Sequence, residues 1–204
     1  PVAEAPRTVL RRQVERVKAL GMTCYCASEL EFYLFNQTYH DAFAGGYRDL
    51  KPSSNYRIDY HLMQPARDEA LMRAIRNGLT AARVPIESSK GEWSCGQHEL
   101  NFTYDEPLPM ADGHCLFKQS VRELAEQHGK AVTFMAKYAP TEAGSSCHLH
   151  LSLWARGRNI FWDPKTEGGS LQFRQFLGGL LKYSAELCLC LAPTINSSKR
   201  YHPG

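Results

Sequence analysis

Three short segments of this chain alternate polar and apolar residues as β-strands do, and each carries acidic or imidazole groups along one face. Successive side chains of a strand point to opposite faces, so residues two apart share a face. The three polar rows are Glu29 and Glu31; Gln97, Glu99 and Asn101; and His148, His150 and Ser152. The positions between them are apolar, among them Leu30, Phe32, Leu100, Phe102, Leu149 and Leu151. The pattern predicts a sheet with one apolar face and one face of carboxylates and imidazoles.

Such a polar face indicates a cation site. Like charges side by side on a strand repel each other, and a divalent cation can neutralise them. Glu92 adds another acid, seven residues before Glu99 across a turn that contains glycine. Oxygen-rich ligand sets with one histidine suit Mg²⁺ or Mn²⁺. Each pair alone is compatible with an ordinary exposed strand, whereas several such faces in one short chain favour a shared site.

Composition excludes several classes of protein. The 204 residues are 43% hydrophobic and 22% charged, which is typical of a soluble globular chain with one substantial core. The net charge is only +3 with scattered basic residues, which argues against nucleic-acid binding. No apolar run reaches the length of a membrane span and no signal peptide opens the chain, so we expect neither a membrane nor a secreted location. Seven cysteines without a CxxC motif predict small buried thiols in a reducing cytoplasm.

Hydrophobic periodicity predicts an α+β fold without a linker that would divide the chain. The predicted helices cover residues 6–20, a segment beginning at Pro65 and carrying Ala70, Leu71, Ile75 and Leu79, residues 111–128, and residues 170–191. The predicted strands cover residues 22–35, 84–89, 98–104 and 131–137, with a further strand around His148. Residues 36–60 have no clear period, and we expect a long loop there.

Four segments, in order along the chain, resemble the glutamine synthetase family. Residues 29–35 (ELEFYLF) are similar to its glutamate-rich strand, and residues 92–99 (EWSCGQHE) to its E-x-x-x-G-Q-x-E segment. Residues 133–137 (TFMAK) and 144–152 (GSSCHLHLS) resemble its TFMPKP and G-S-G-x-H-x-H-x-S signature, and residues 193–200 (PTINSSKR) its PTxNSYKR segment. Together these motifs span nearly the whole chain.

The resemblance implies an ATP-dependent ligase that phosphorylates the γ-carboxylate of glutamate and lets ammonia or another amine displace the phosphate. It also implies a curved, mostly antiparallel sheet backed by helices, assembled in homo-oligomeric rings. The resemblance implies that Glu31, Glu92 and Glu99 bind one Mg²⁺ (or Mn²⁺) and that Glu29 and His148 bind a second. It implies nucleotide contacts from Tyr104, His150 and Ser152. It also implies glutamate contacts from Gly144 and from Arg200, which is the catalytic residue.

The chain departs from the family pattern in two ways. Ala143 stands where the family usually has Asn, Ala136 where it has Pro, and Ser146 where it has Gly. We expect glutamine synthesis from glutamate and ammonia. The missing amide at position 143 is compatible with the alternative, a relative that joins glutamate to a larger amine such as ethanolamine or a polyamine. The family's N-terminal β-grasp domain and the last part of its catalytic domain have no counterpart in residues 1–204. We therefore expect a partial catalytic domain that has little ligase activity by itself.

Two other functions remain open from the residues. A non-catalytic structural relative would keep the fold without the chemistry, although it has no reason to retain five acidic and imidazole ligands. A zinc hydrolase built on His148 and His150 would recruit His98 or Glu99 as its third ligand. Binding of Mg²⁺ or Mn²⁺ with ATP, of zinc, or of no metal separates the three functions.

Overall fold

The structure is a computed structural model that describes residues 2–201, and its chain forms two compact units. The first unit contains the chain through Ala27 together with Tyr104–Asp112 and Leu149–Thr194. The second unit contains Ser28–Thr103, Gly113–His148 and the chain from Ile195. Each unit is built from three separate stretches of chain, so the boundary between them is crossed several times.

The helices and strands alternate along the chain. The helices of the described residues are α1 (Pro6–Ala19), α2 (Tyr39–Ala44), α3 (Met63–Arg67), α4 (Glu69–Ala81), α5 (Pro107–Gln127), α6 (Leu171–Lys182), α7 (Ser184–Leu191), α8 (Ile195–Ser198) and a 3₁₀-helix at Lys199–Tyr201. The strands are β1 (Thr23–Phe35), β2 (Ile86–Gly91), β3 (Gln97–Phe102), β4 (Ala131–Thr133), β5 (Cys147–Ala155), β6 (Arg158–Asn159), β7 (Trp162–Asp163) and β8 (Gly168–Gly169).

An antiparallel sheet organises the second unit. Strand β1 pairs with β3 and β3 pairs with β2, while β4 pairs with the end of β1. In this register Glu31 lies directly opposite Glu99, and Glu29 lies opposite Asn101. The N–H of Glu31 also donates to the carbonyl of Ser146, just before β5 begins, at 3.1 Å. The predicted α+β class is confirmed, and pairing brings the acidic rows of β1 and β3 side by side.

One face of this sheet forms the core of the second unit. Phe32 and Leu100 are fully buried, and the ring of Phe117 from α5 lies 6.1 Å from that of Phe32 and 5.3 Å from that of Phe102. Helix α4 adds four buried apolar side chains, Leu71, Met72, Ile75 and Leu79. Each such burial contributes about 1.5–3 kcal/mol. Core packing on this side fixes the backbone that carries the acids on the other side.

The first unit contains α1, β6, β7, β8, α6 and α7, and ion pairs tie α1 to the start of α5. Arg7 forms a bidentate pair with Asp112, with both N–O distances at 2.8 Å, and Lys18 contacts Glu106 at 3.2 Å. Strand β5 pairs with β6, and β7 pairs with β8. Among the described residues no helix combines the length and hydrophobicity that a membrane crossing requires.

Two predicted helices are present, but each is interrupted by one residue. The helix expected from Pro65 begins at Met63 and is interrupted at Asp68, which has φ −104° and ψ 11° and turns its carboxylate into the core. The helix expected over 170–191 is interrupted at Tyr183, which has φ −106° and ψ 16°. In both cases one residue leaves helical geometry without any Pro that would signal the break.

Two other expectations are wrong in part. The long loop at 36–60 contains α2, which begins because Thr38 and Asp41 form a reciprocal capping box. The strand expected over 131–137 ends at Thr133, because the backbone beyond it has other partners. Lys137 exchanges hydrogen bonds with the side chain of Asn196, and the carbonyl of Ala136 accepts from the N–H of Ser145.

The cysteines also differ from the prediction. All seven are free thiols, as expected, but none is buried. Burial nevertheless raises the pKa of Cys26 to about 11, because the thiol is half enclosed and lies near Cys24 and Asp105. A thiol with so high a pKa is a poor nucleophile at neutral pH.

Candidate functional site

Three carboxylates of the second unit converge in one cluster. One oxygen from each of Glu31, Glu92 and Glu99 lies within 4.8 Å of the others. Glu31 and Glu99 are 9% and 2% exposed, and they face each other across β1 and β3. Glu92 follows β2, and its N–H donates to the carbonyl of Gln97, which holds the turn closed. The sequence predicted this set of three from the first two motifs.

Three donors hold the carboxylate of Glu31. The side-chain amide of Gln97 and the N–H of Ser146 donate to Oε2, each at 3.0 Å, and the hydroxyl of Ser146 donates to Oε1. Such charge-assisted bonds are among the stronger hydrogen bonds in proteins. These bonds fix the orientation of the Glu31 carboxylate toward its neighbours.

Glu99 lacks comparable support. Its Oε1 is buried and makes no hydrogen bond to the described residues. Burial, a hydrogen bond with Glu29 and the negative charge of Glu92 together raise the pKa of Glu99 to about 8. An orphaned carboxylate oxygen facing two further carboxylates fits a divalent cation, because hard cations prefer oxygen ligands. The residues present therefore fit Mg²⁺ or Mn²⁺.

Glu29 and His148 form a second pair beside this cluster. Nδ1 of His148 lies 3.5 Å from Oε1 of Glu29, and the imidazole is 60% exposed. Glu29 also interacts with Glu99, which links the pair to the three-carboxylate cluster. The structure brings all five predicted metal ligands into one unit; their roles as ligands stay a prediction.

The loop before β5 is fixed through its main chain. The N–H of Ala143 donates to the hydroxyl of Ser94 at 2.9 Å, and its carbonyl accepts from the hydroxyl of Tyr33 at 2.7 Å. The next carbonyl, that of Gly144, accepts from the amide of Gln97 at 3.2 Å. The path of the loop thus does not depend on the side chain at position 143.

Arg200 packs against the same loop. Its Nη1 donates to the carbonyl of Ser145 at 3.0 Å. A Cβ at Gly144 would lie 2.6 Å from Nε of Arg200 and 2.9 Å from the carbonyl oxygen of Ala136, so no other residue fits there. The structure therefore brings together the two residues predicted to contact glutamate.

The three predicted nucleotide contacts belong to the first unit. Ser152 accepts a hydrogen bond from the indole of Trp154 at 3.0 Å. The ring of Tyr25 lies between two aromatic neighbours, 5.8 Å from Trp154 and 5.7 Å from Tyr104. Tyr104 is 63% exposed, and His150 is exposed on β5. Their predicted contacts with a nucleotide are not tested by these positions.

Lys90 belongs to the acidic cluster, and the sequence patterns did not point to it. Its Nζ contacts Oε1 of Glu92 and lies 3.0 Å from Oδ1 of Asp59 and 4.1 Å from the centre of the Tyr60 ring. The lysine is only 18% exposed. The K-x-E spacing of Lys90 and Glu92 was the available signal, because residues two apart share a face of a strand.

Comparison with known proteins places these features in a family. Residues 3–204 match the family model described as glutamine synthetase, catalytic domain. A gamma-glutamylethanolamide synthetase of Streptomyces coelicolor is 46% identical over 207 residues, covering 100% of this chain and 44% of the relative. A glutamine synthetase of Pyrococcus abyssi is 36% identical over 204 residues, with the same coverage of 100% and 44%.

Solved structures give the same result for the fold. The GmaS complex with ADP superposes with a TM-score of 0.87 at 29% identity, covering 100% of this chain and 46% of that one. The chain thus spans less than half the length of the relatives it matches.

Proposed function

The chain belongs to the glutamine synthetase family, and on that premise we propose that it is part of the catalytic domain of an ATP-dependent glutamate–amine ligase. Such an enzyme phosphorylates the γ-carboxylate of glutamate and then forms an amide with ammonia or another amine. A carboxylate is a poor electrophile, and phosphorylation gives it a good leaving group. The observation that carries the proposal is the cluster of Glu31, Glu92 and Glu99.

In this proposal Glu31, Glu92 and Glu99 hold one Mg²⁺ or Mn²⁺, and Glu29 and His148 hold the second. Bound there, the two cations would offset the negative charge that gathers around the phosphates of ATP during phosphoryl transfer. The hydrogen bonds to Glu31 support its role, because a ligand held in place loses less conformational entropy on binding.

Arg200 and Gly144 bind the amino-acid substrate in this proposal. The guanidinium is a planar fork that suits a carboxylate, and Arg200 has one Nη bonded to the carbonyl of Ser145 as an anchor. Because Gly144 has no side chain, the loop approaches Arg200 closely enough for that contact. We assign nucleotide contacts to Tyr104, His150 and Ser152. Each of them stands at a position where the family has a residue near the nucleotide.

The acceptor is proposed to be an amine larger than ammonia. Ala143 supports this choice, because it leaves space where the family usually places an Asn side chain. One relative is named for ethanolamide synthesis, and a second, a glutamate–isopropylamine ligase of Pseudomonas, is 33% identical over 202 residues. Glutamine synthesis with ammonia is the second candidate. In either case we propose a homo-oligomeric ring for the whole protein, on family membership alone.

The test is ATP-dependent phosphate release by the full-length protein with glutamate and Mg²⁺. The amine is varied among ammonia, ethanolamine, isopropylamine and a polyamine, and Glu31→Gln serves as the inactive control. Release above background with an alkylamine supports the proposal, and release with ammonia alone assigns glutamine synthesis. No release with any amine contradicts the ligase and favours a non-catalytic relative. Binding of zinc in preference to Mg²⁺ and Mn²⁺ favours the hydrolase.

A further inference from the structure

Lys90 is the one lysine of the described residues whose ammonium group lies against the three-carboxylate cluster. Lys90 is the residue of β2 that pairs with Glu99 of β3. The ammonium bridges two carboxylates, those of Glu92 and Asp59, and rests over the ring of Tyr60. A lysine on an edge strand ordinarily extends into water, whereas this one is 18% exposed.

The backbone has an uncommon conformation at Tyr60, whose ring lies under the Lys90 ammonium. Tyr60 has φ 58°, in the left-handed region that residues with side chains rarely adopt. That conformation costs energy unless surrounding contacts hold it in place. It lets two consecutive residues, Asp59 and Tyr60, both contact the same ammonium group. Glu92, Asp59 and Tyr60 therefore surround a cation, and that cation is the Lys90 ammonium of the same chain.

The charge balance of the cluster explains why such a cation is present. Glu31, Glu92 and Glu99 repel one another at separations below 4.8 Å. The ammonium of Lys90 contacts the carboxylates of Glu92 and Asp59 and so places a positive charge at the edge of this cluster. This positive charge lies where a divalent cation would also be attracted.

We propose that Lys90 is an internal counter-cation of this cluster, which holds Glu92 in the metal-free protein and competes with Mg²⁺ or Mn²⁺ for it. This inference rests on the proposed function, since it takes the cluster to be a metal site. With a metal bound, Glu92 would serve the metal, and the ammonium would keep its other two contacts, with Asp59 and the Tyr60 ring. Lys90 is a positioning residue that sets how tightly the metal binds.

An ordinary structural ion pair gives a different expectation. If Lys90 only stabilised the fold, its removal would weaken metal binding or leave it unchanged. If Lys90 competes with the metal, its removal should tighten metal binding, because an oxygen of Glu92 becomes free. Metal affinity measured without substrate or turnover therefore separates the two.

The experiment measures Mn²⁺ binding to the intact protein, stripped with a chelator and free of substrates, by the electron paramagnetic resonance signal of free Mn²⁺. In Lys90→Met, which keeps the stem and loses the charge, we expect binding roughly fivefold tighter or more. Lys90→Arg keeps a cation and should bind about as weakly as the wild type. Lys51→Met removes an exposed lysine of the same unit and should leave affinity unchanged.

A second measurement needs no variant. An amine-reactive label, read by peptide mass spectrometry, should modify Lys90 of the wild-type protein slowly without metal and several times faster with saturating Mn²⁺. Tighter binding in Lys90→Met together with metal-dependent labelling supports the proposal. Equal or weaker binding in a folded Lys90→Met, or labelling that Mn²⁺ does not change, overturns it while leaving the metal site intact. A wild-type protein that binds no Mn²⁺ overturns the metal assignment and this proposal together.

Discussion

At the scale of single residues, the most distinctive feature is the hydroxyl at position 146. The family signature usually has Gly there, whereas here the side chain of Ser146 donates to Glu31 and is itself buried. The hydroxyl adds a charge-assisted bond to the one that its own N–H makes to the same carboxylate. A residue that departs from the family pattern thus contacts one of the residues proposed to bind metal.

We expect Ser146→Ala to lower the free energy of unfolding by about 1.5–3 kcal/mol, because it removes a buried hydrogen bond to a charged group. Urea denaturation of the metal-free protein measures this. The control is the neighbouring Ser145→Ala, since the hydroxyl of Ser145 is buried and bonds to none of the described residues. Equal losses in the two variants would contradict the assigned role of the Ser146 hydroxyl.

At the scale of elements, the break between α3 and α4 is explained by one buried carboxylate. Asp68 accepts from the hydroxyl of Ser53, lies 3.0 Å from Nε2 of His98, and lies 3.1 Å from Nζ of Lys130. Burial would raise the pKa of Asp68, but the bonds with His98 and Ser53 and the charge of Lys130 lower it to about 2. The acid joins the helix boundary to β3 and to the start of β4.

Asp68→Asn should cost about 1.5–3 kcal/mol of unfolding free energy, because it weakens the buried hydrogen bonds that Ser53 and His98 make with a charged carboxylate. Asp112→Asn is the matched control, since the carboxylate of Asp112 is half exposed in its pair with Arg7, and such pairs contribute only ~0–1 kcal/mol. Chemical denaturation of both variants gives the comparison. Similar small losses would show that the Asp68 network contributes no more than a surface pair.

The same element shows what sequence could and could not predict. The period of Leu71, Ile75 and Leu79 predicted the helix correctly, because a buried face needs apolar residues at that spacing. The break at Asp68 depends on His98, 30 residues further along, and no local pattern contains that information. Alternation within β1 and β3 likewise predicted which face is acidic, but Lys90 was missed because its role depends on Asp59 and Tyr60 lying across the same site.

At the scale of the whole molecule, the acidic cluster couples stability to pH. The pKa of Glu99 is raised to about 8 in the folded state, against 4.5 when unperturbed, so the folded protein binds this proton more tightly than the unfolded chain does. The associated stability is fully present below pH 4.5 and is lost as pH rises toward 8.

We therefore expect the melting temperature of the chelator-treated protein to contain a component that falls between pH 4.5 and about 8. Differential scanning calorimetry across that range measures it. Glu99→Gln should remove this component, because the amide is neutral at every pH, whereas Mn²⁺ should raise the melting temperature most at the alkaline end. A wild-type profile that the variant reproduces would contradict the shifted pKa.

The loop at Ala143 and Gly144 also has an evolutionary consequence. Ser94, Tyr33 and Gln97 grip its main chain, so its course does not depend on which residue stands at position 143. A substitution at position 143 is therefore expected to leave the shape of the loop unchanged. In the proposed ligase, a gene duplicate would then be able to change its amine by substitutions at position 143 without first losing its fold.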